Sequence, residues 1–239
     1  MTHCTHLPLN YSKTESPNIL NVSVLWDDND LILVDCGNPN SIDLLQDALR
    51  WNGLSLNKLT KIIITHHDYD HYGSLAELKE KYPHVQVYAT QVESEYINGS
   101  KRSLRLVQAE SIYPTLQDNQ KEQAMAFHKK LESITPSNID GILEPDTDYP
   151  WCGGITIVST PGHMPGHISV YHKPTKTMIT GDAMVIEHGK LETANPRYTL
   201  DNDKAYQSMK KFLNFEIERL ICYHGGVMTQ DIRESIEAL

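Results

Sequence analysis

An α/β fold is predicted by two features of this chain. Strand-length apolar runs alternate with helix-period stripes along its whole length, and several of the runs are β-branched and uninterrupted, as strands buried on both faces are. The 239 residues, 39% of them hydrophobic, supply one sizeable core, and no Pro/Gly/Ser linker divides them, so residues 1–239 read as a single domain.

Taken in order, Ile19–Trp26 and 30–34 form two strands joined by the polar turn Asp27-Asp28-Asn29, an antiparallel hairpin. Ser41 is placed to cap a helix with Ile42, Leu45, Ala48 and Leu49 on one face, closed by Asn52-Gly53. Residues 61–65 (KIIIT) are a buried strand, a helix over 73–82 is stopped by Pro83, and 85–89 returns as a strand. From about 93 to 131 the pattern is helical but less regular. This is read as an insertion over one face of the core, whose Leu104, Leu106, Val107, Ile112 and Leu116 suit core packing or the wall of a substrate pocket. Strands follow at Ile155–Ser159, Ile168–His172 and 177–180. Ala205, Met209, Phe212 and Leu213 stripe a helix, Arg219–Cys222 is a last strand, and a helix from Gln230 closes the chain.

Composition excludes several classes. A formal charge of -10 gives no broad attraction to phosphate backbones, and the one basic cluster, KRSLR at 101–105, reads as a solvated face, so no nucleic-acid partner is expected. The start of the sequence has neither a basic region nor an apolar run, and no later stretch reaches membrane-span length; the expectation is a cytoplasmic protein with no membrane partner. Cys4, Cys36, Cys152 and Cys222 are widely spaced and form no C-x-x-C pair, which predicts buried thiols rather than disulfides or a zinc ribbon. His3, Cys4 and His6 lie in a segment expected to be mobile and short of a fourth ligand.

The polar exceptions on this frame sit at strand ends, where a rigid sheet can aim loop side chains. They are His66, Asp68, Asp70 and His71 in THHDYDHYGS; His163 in TPGHMPGH; Asp182 in TGDA; and His224 in YHGG. On an extended path past Thr65, His66 and Asp68 point to one side and His67 to the other. His67 is therefore read as packed or solvent-facing and not as a ligand. Asp70 and His71 follow after the chain turns, which makes two adjacent sites. His167 is expected to steady the loop beside them.

These residues carry a resemblance. Thr65-His66-x-Asp68-x-Asp70-His71, followed by the PGH ending at His163, the Gly-Asp ending at Asp182 and His224-Gly225, is similar to the signature of the metallo-β-lactamase superfamily, and Asp35-Cys36-Gly37 looks like its D-x-G turn. The resemblance implies a four-layer αββα sandwich with a dinuclear metal centre at one edge. His66, Asp68 and His163 would hold one ion, Asp70, His71 and His224 the other, Asp182 would bridge, and Asp35 would support the site. The chain departs from the usual H-x-H-x-D-H at Asp68. A carboxylate there lowers the formal charge of the centre by one unit, which predicts a weaker Lewis acid, and its hard oxygen donor admits manganese or iron beside zinc as the two divalent ions.

The resemblance further implies a metal-dependent hydrolase that uses a bridging hydroxide on a small-molecule ester, lactone or thioester. Asp70 would orient the nucleophile, and Tyr198, in NPRYTL, is a candidate proton donor to the leaving group. The alternatives are a phosphodiesterase and a metal-binding regulatory or assembly protein without turnover.

Overall fold

Successive strand residues sort onto opposite faces, and in the computed structural model, which describes residues 1–12 and 18–239, this alternation builds four layers. The first sheet has the spatial order β1 (His3–Asn10), β2 (Ile19–Trp26), β3 (Leu31–Val34), β4 (Lys61–Ile63), β5 (Gln86–Ala89) and β6 (Gly141–Ile142). Its first three strands pair antiparallel and β3 to β6 pair parallel. The second sheet runs β14 (Gly226–Met228), β13 (Arg219–Cys222), β10 (Thr177–Ile179), β9 (Ile168–His172), β8 (Ile155–Ser159) and β7 (Thr147–Tyr149), with β10 and β13 parallel. A separate hairpin joins β11 (Met184–Glu187) to β12 (Lys190–Thr193).

Three cores separate the layers. Leu33 and Ile62 pack outward against Leu45 and Leu49 of α1 (Ile42–Trp51) and Leu75 and Leu78 of α3 (Leu75–Lys81). Their chain neighbours Ile32 and Ile63 point the other way, to Ile157, Val170 and Ile221 of the second sheet. On the far side, Val158, Met178 and Leu220 lie under Met209 of α7 (Asn202–Lys210), Phe212, and Ile232 and Ile236 of α8 (Ile232–Glu237). This is the αββα arrangement expected. The KIIIT run is uninterrupted because each face of its sheet has a core of its own.

Several expectations change. The first strand, β1, pairs with β2 along all eight residues and buries Leu7 and Leu9, so the segment with His3, Cys4 and His6 is an ordered sheet edge and not a mobile end. Ser41 does not cap α1 through its side chain; its hydroxyl donates to Asn38 O instead. The helix expected over 73–82 is α3, and a further short helix, α2 (Tyr69–Tyr72), precedes it, the two separated at Gly73, where a Cβ would meet Tyr69 O at 2.3 Å. The insertion contains α4 (Gln91–Ile97), α5 (Leu104–Ile112) and α6 (Asp118–Glu132). All four cysteines are buried and free, and among the described residues no helix is long and apolar enough to cross a membrane.

The functional consequence lies at the C-terminal ends of β3, β4, β10 and β13. Asp35, His66, Asp182 and His224 each follow one of these strands within a few residues. The sheets are tied together at this rim by Ile168 N–H donating to Thr65 O (3.2 Å) and Asn21 N–H donating to Tyr223 O (2.9 Å).

Candidate metal centre

Asp35 is the fixed point of the site. Its backbone takes a positive φ of 66°, and its buried carboxylate accepts from Thr65 N–H (2.8 Å), the Thr65 hydroxyl (2.9 Å) and His71 Nδ1 (2.7 Å). With Nδ1 engaged, His71 presents Nε2 to the site, where it lies 3.2 Å from Asp182 Oδ1. His66 is set the same way, Nδ1 against Thr65 Oγ1 at 3.0 Å. His66 Nε2, His71 Nε2 and Asp182 Oδ1 are buried and have no hydrogen-bond partner.

Asp182 is positioned through its backbone. Gly181 has φ +54°, and a Cβ there would meet His167 Nε2 at 2.7 Å. That nitrogen accepts the Asp182 N–H at 2.9 Å, while Nδ1 meets Thr160 Oγ1 at 2.8 Å. Burial pushes the His167 pKa down to about 3, which keeps the ring neutral in this role. The expectation that His167 steadies the loop thus has a concrete form.

All seven side chains singled out as potential ligands come together. Three groups have ligand atoms within 4.8 Å of one another: His66, Asp68 and His163; His66, His71 and Asp182; Asp70, His71 and His224. Asp182 Oδ2 lies 3.4 Å from His224 Nε2 and 3.5 Å from His163 Nε2, between the first and third groups. Asp70 Oδ2 and His224 Nε2 are 3.4 Å apart, as are Asp68 Oδ2 and His66 Nε2. A tetrahedral ion with bonds of about 2.1 Å has ligand–ligand edges of about 3.4 Å, so these residues fit divalent cations, and the bare nitrogens and oxygen are the atoms that would bind them.

The charges point the same way. Burial opposes ionisation of Asp182, yet His224 and His71 hold its carboxyl well below the usual range. Against their own burial, His71 is held well above its usual value by Asp182, Asp35 and Asp70, and His224 is raised to about 10, chiefly by Asp182. His66, which burial and the nearby His71 push well down, stays neutral. The cluster draws positive charge to itself, whether as protons or as metal.

Two residues of the site were not expected. The KRSLR cluster is not simply a solvated face: Arg105 is 2% exposed, and its guanidinium grips Asp68 with Nε to Oδ1 (2.9 Å) and Nη2 to Oδ2 (2.6 Å). Asp68 Oδ2 also lies 2.9 Å from His163 Nε2. Despite burial, Arg105 holds the Asp68 carboxyl well below its usual range. The available signal was Asp68 itself, since a buried carboxylate replacing a neutral imidazole calls for a cation. The other residue is Glu93. His67 faces away from the site and is packed, 1% exposed, with Nδ1 hydrogen-bonded to Glu93 Oε2; Glu93 also accepts His67 N–H (2.9 Å) and Gly166 N–H (2.7 Å).

A cavity of about 360 Å³ opens over the centre, lined by Asp70, Asp182, His163 and His224, with Phe127 and Tyr198 at its side. Tyr198 is 43% exposed, and its ring lies 5.5 Å from the Arg105 guanidinium. Arg105, Phe127 and Tyr198 also line a second cavity of about 280 Å³ whose other walls include Ala109, Ile112, Leu116 and Ala124 of the insertion. Of the apolar insertion residues named from sequence, Leu106 is buried, Ile112 and Leu116 face this cavity, and Val107 is exposed.

Comparison with known proteins identifies the family and bears out the fold. Residues 17–224 match the family model described as the metallo-beta-lactamase superfamily. The chain is 26% identical over 226 residues to "Probable metallo-hydrolase YflN" of Bacillus subtilis (strain 168), covering 89% of this chain and 81% of that protein. It is 24% identical over 162 residues to a hydroxyacylglutathione hydrolase of Yersinia pestis (strain Pestoides F), covering 67% of this chain and 45% of that one. Among solved structures, a metallo-beta-lactamase family protein of Thermus thermophilus superposes with a TM-score of 0.75 at 20% identity, covering 98% of this chain and 77% of that chain. A superfamily protein of Sulfolobus tokodaii gives 0.70 at 22% identity, with 98% and 85% covered.

Proposed function

This chain belongs to the metallo-β-lactamase superfamily, and from that premise we propose that it is a metal-dependent hydrolase of small esters, lactones or thioesters, acting at a dinuclear centre. The observation that carries the reading is the set of bare buried atoms, His66 Nε2, His71 Nε2 and Asp182 Oδ1, among carboxylate and imidazole groups at coordination-edge spacing. His66, Asp68 and His163 would hold one ion and Asp70, His71 and His224 the other, and Asp182 is placed to contribute to both. When bound, two divalent ions, zinc in the first instance, would supply Lewis acidity toward a substrate oxygen and toward the attacking water.

The remaining work falls to the chain's own groups. Asp35, Thr65 and His167 hold the imidazoles and Asp182 in orientation, so little reorganisation is needed when substrate arrives. The Asp70 carboxylate, which lines the cavity, orients the attacking water. Phe127 shields the cavity, and the Tyr198 hydroxyl delivers a proton to the leaving oxygen or sulfur. The acyl portion extends over Phe127 into the second cavity, whose Ala109, Ile112, Leu116 and Ala124 give it an apolar wall.

The test is a panel of p-nitrophenyl esters, lactones, thioesters and a phosphodiester, assayed with zinc-loaded protein and with chelator-stripped protein. Turnover of a carboxylic-acid derivative by the loaded form only is expected. Fully metallated protein that turns over nothing would favour a binding role, and turnover of the phosphodiester alone would move the chain to the phosphodiesterases.

A further inference from the structure

We infer that Asp68 and Arg105 act together as a two-residue replacement for a neutral imidazole ligand, so that a residue of the helical insertion completes the metal centre. The inference rests on the metal reading above and adds a residue to it. The guanidinium is 2% exposed and meets Asp68 through both nitrogens of a fork, at 2.9 and 2.6 Å, a geometry that fixes the plane of the carboxylate as well as its charge. Each carboxylate oxygen has two lone-pair directions. On Oδ2 one is taken by Arg105 Nη2, which also lies 3.1 Å from His163 Nε2; the same oxygen is within hydrogen-bond distance of His163 Nε2, at 2.9 Å, and stands 3.4 Å from His66 Nε2, the spacing of co-ligands around one cation.

Charge closes the argument. A carboxylate at position 68 removes one unit of positive charge from the centre relative to an imidazole, and the guanidinium returns it. The weaker Lewis acidity expected from Asp68 alone is therefore offset once Arg105 is counted, while the donor atom remains a hard carboxylate oxygen. Arg105 is itself held in place. It sits in the first turn of α5, where Leu104 N–H donates to His67 Nε2 (3.3 Å), and its Nη1 donates to Gln108 Oε1 (2.5 Å). His67, which cannot reach the metal, thus docks the helix that supplies Arg105.

The consequence is a compensation between positions 68 and 105. Asp68→His alone supplies the usual imidazole but leaves a buried guanidinium facing the cation without its counter-charge. D68H/R105M supplies the imidazole and removes the guanidinium. Zinc stoichiometry and affinity by chelator competition, together with thermal unfolding of the metal-free proteins, should be measured for wild type, D68H, R105M and D68H/R105M. Two ions in wild type are expected. One of them should bind about tenfold or more weakly in D68H and return to within a few-fold of wild type in the double variant. In the metal-free proteins each single variant should unfold at a lower temperature and the double variant should recover, a readout that needs no metal.

Equal affinities in D68H and D68H/R105M would overturn the pairing. One ion in wild type but two in R105M would also overturn it, by placing the guanidinium where an ion belongs. Failure of folded wild type to take up zinc at all would instead overturn the metal reading, and the unfolding data would still report whether the two residues are coupled.

Discussion

Asp35 Oδ2 accepts the Nδ1–H of His71 at 2.7 Å, and this single bond decides which nitrogen of His71 faces the site. The carboxylate also raises the basicity of the ring it holds. Asp35→Asn preserves shape and removes that charge, so zinc affinity at the Asp70, His71 and His224 group should fall about 10- to 100-fold with secondary structure unchanged. Chelator competition followed by circular dichroism checks this; wild-type affinity in D35N would make Asp35 a purely structural turn residue.

Glu93 makes a different kind of prediction, about stability. Its buried carboxylate accepts from His67 Nδ1, His67 N–H and Gly166 N–H, joining the motif after β4 to the loop that carries His163. Glutamine has one acceptor and turns an amide NH₂ toward these donors. Glu93→Gln should therefore destabilise the fold by about 2–4 kcal/mol. Urea unfolding measures it, and a change below about 0.5 kcal/mol, the range of ordinary surface substitutions, would show that the contacts are replaced without cost.

How much of this was legible in the sequence depends on the range of the interactions involved. Ile155–Ser159 and Ile168–His172 appear where the residue pattern places them, because two-sided burial is written into each run. The strand ends that bear His66, His163, Asp182 and His224 were legible for the same reason. The edge strand β1 was not: its buried Leu7 and Leu9 are flanked by polar residues and Pro8, and pairing with β2 is what makes it a strand. The β11–β12 hairpin carries a local signal that the strand pattern alone does not bring out, His188-Gly189, both at positive φ (51° and 76°) as a tight hairpin turn requires. Arg105 was the costliest omission. It lies 37 residues from Asp68, and only the docking of α5 brings the two together.

The second cavity gives a prediction about substrate size. Ala124 of α6 lines it away from the ligand cluster, so Ala124→Trp fills the space without touching the centre. Values of kcat/KM for medium-chain acyl esters should drop about tenfold or more while acetyl esters are little affected, since each lost methylene contact is worth about tenfold in discrimination. A graded series of p-nitrophenyl esters measures this, and equal losses at every chain length would remove the cavity from the substrate path.

Tyr198 supplies the final prediction. It stands beside the cavity with its ring near Arg105 and its hydroxyl on a half-exposed side chain, a position in which it can regain a proton from solvent after each turnover. Tyr198→Phe removes one oxygen and leaves every proposed ligand in place, so metal content should not change. If the hydroxyl protonates the leaving group, its loss matters only where that group departs poorly as an anion. Turnover of alkyl esters or lactones should fall about 100-fold, the lower end of general acid catalysis, while p-nitrophenyl esters, whose phenolate leaves unaided, should change less than about threefold. The ratio of the two rates is the measurement, because a structural role for Tyr198 would lower both together. An unchanged ratio would take the proton donor away from Tyr198.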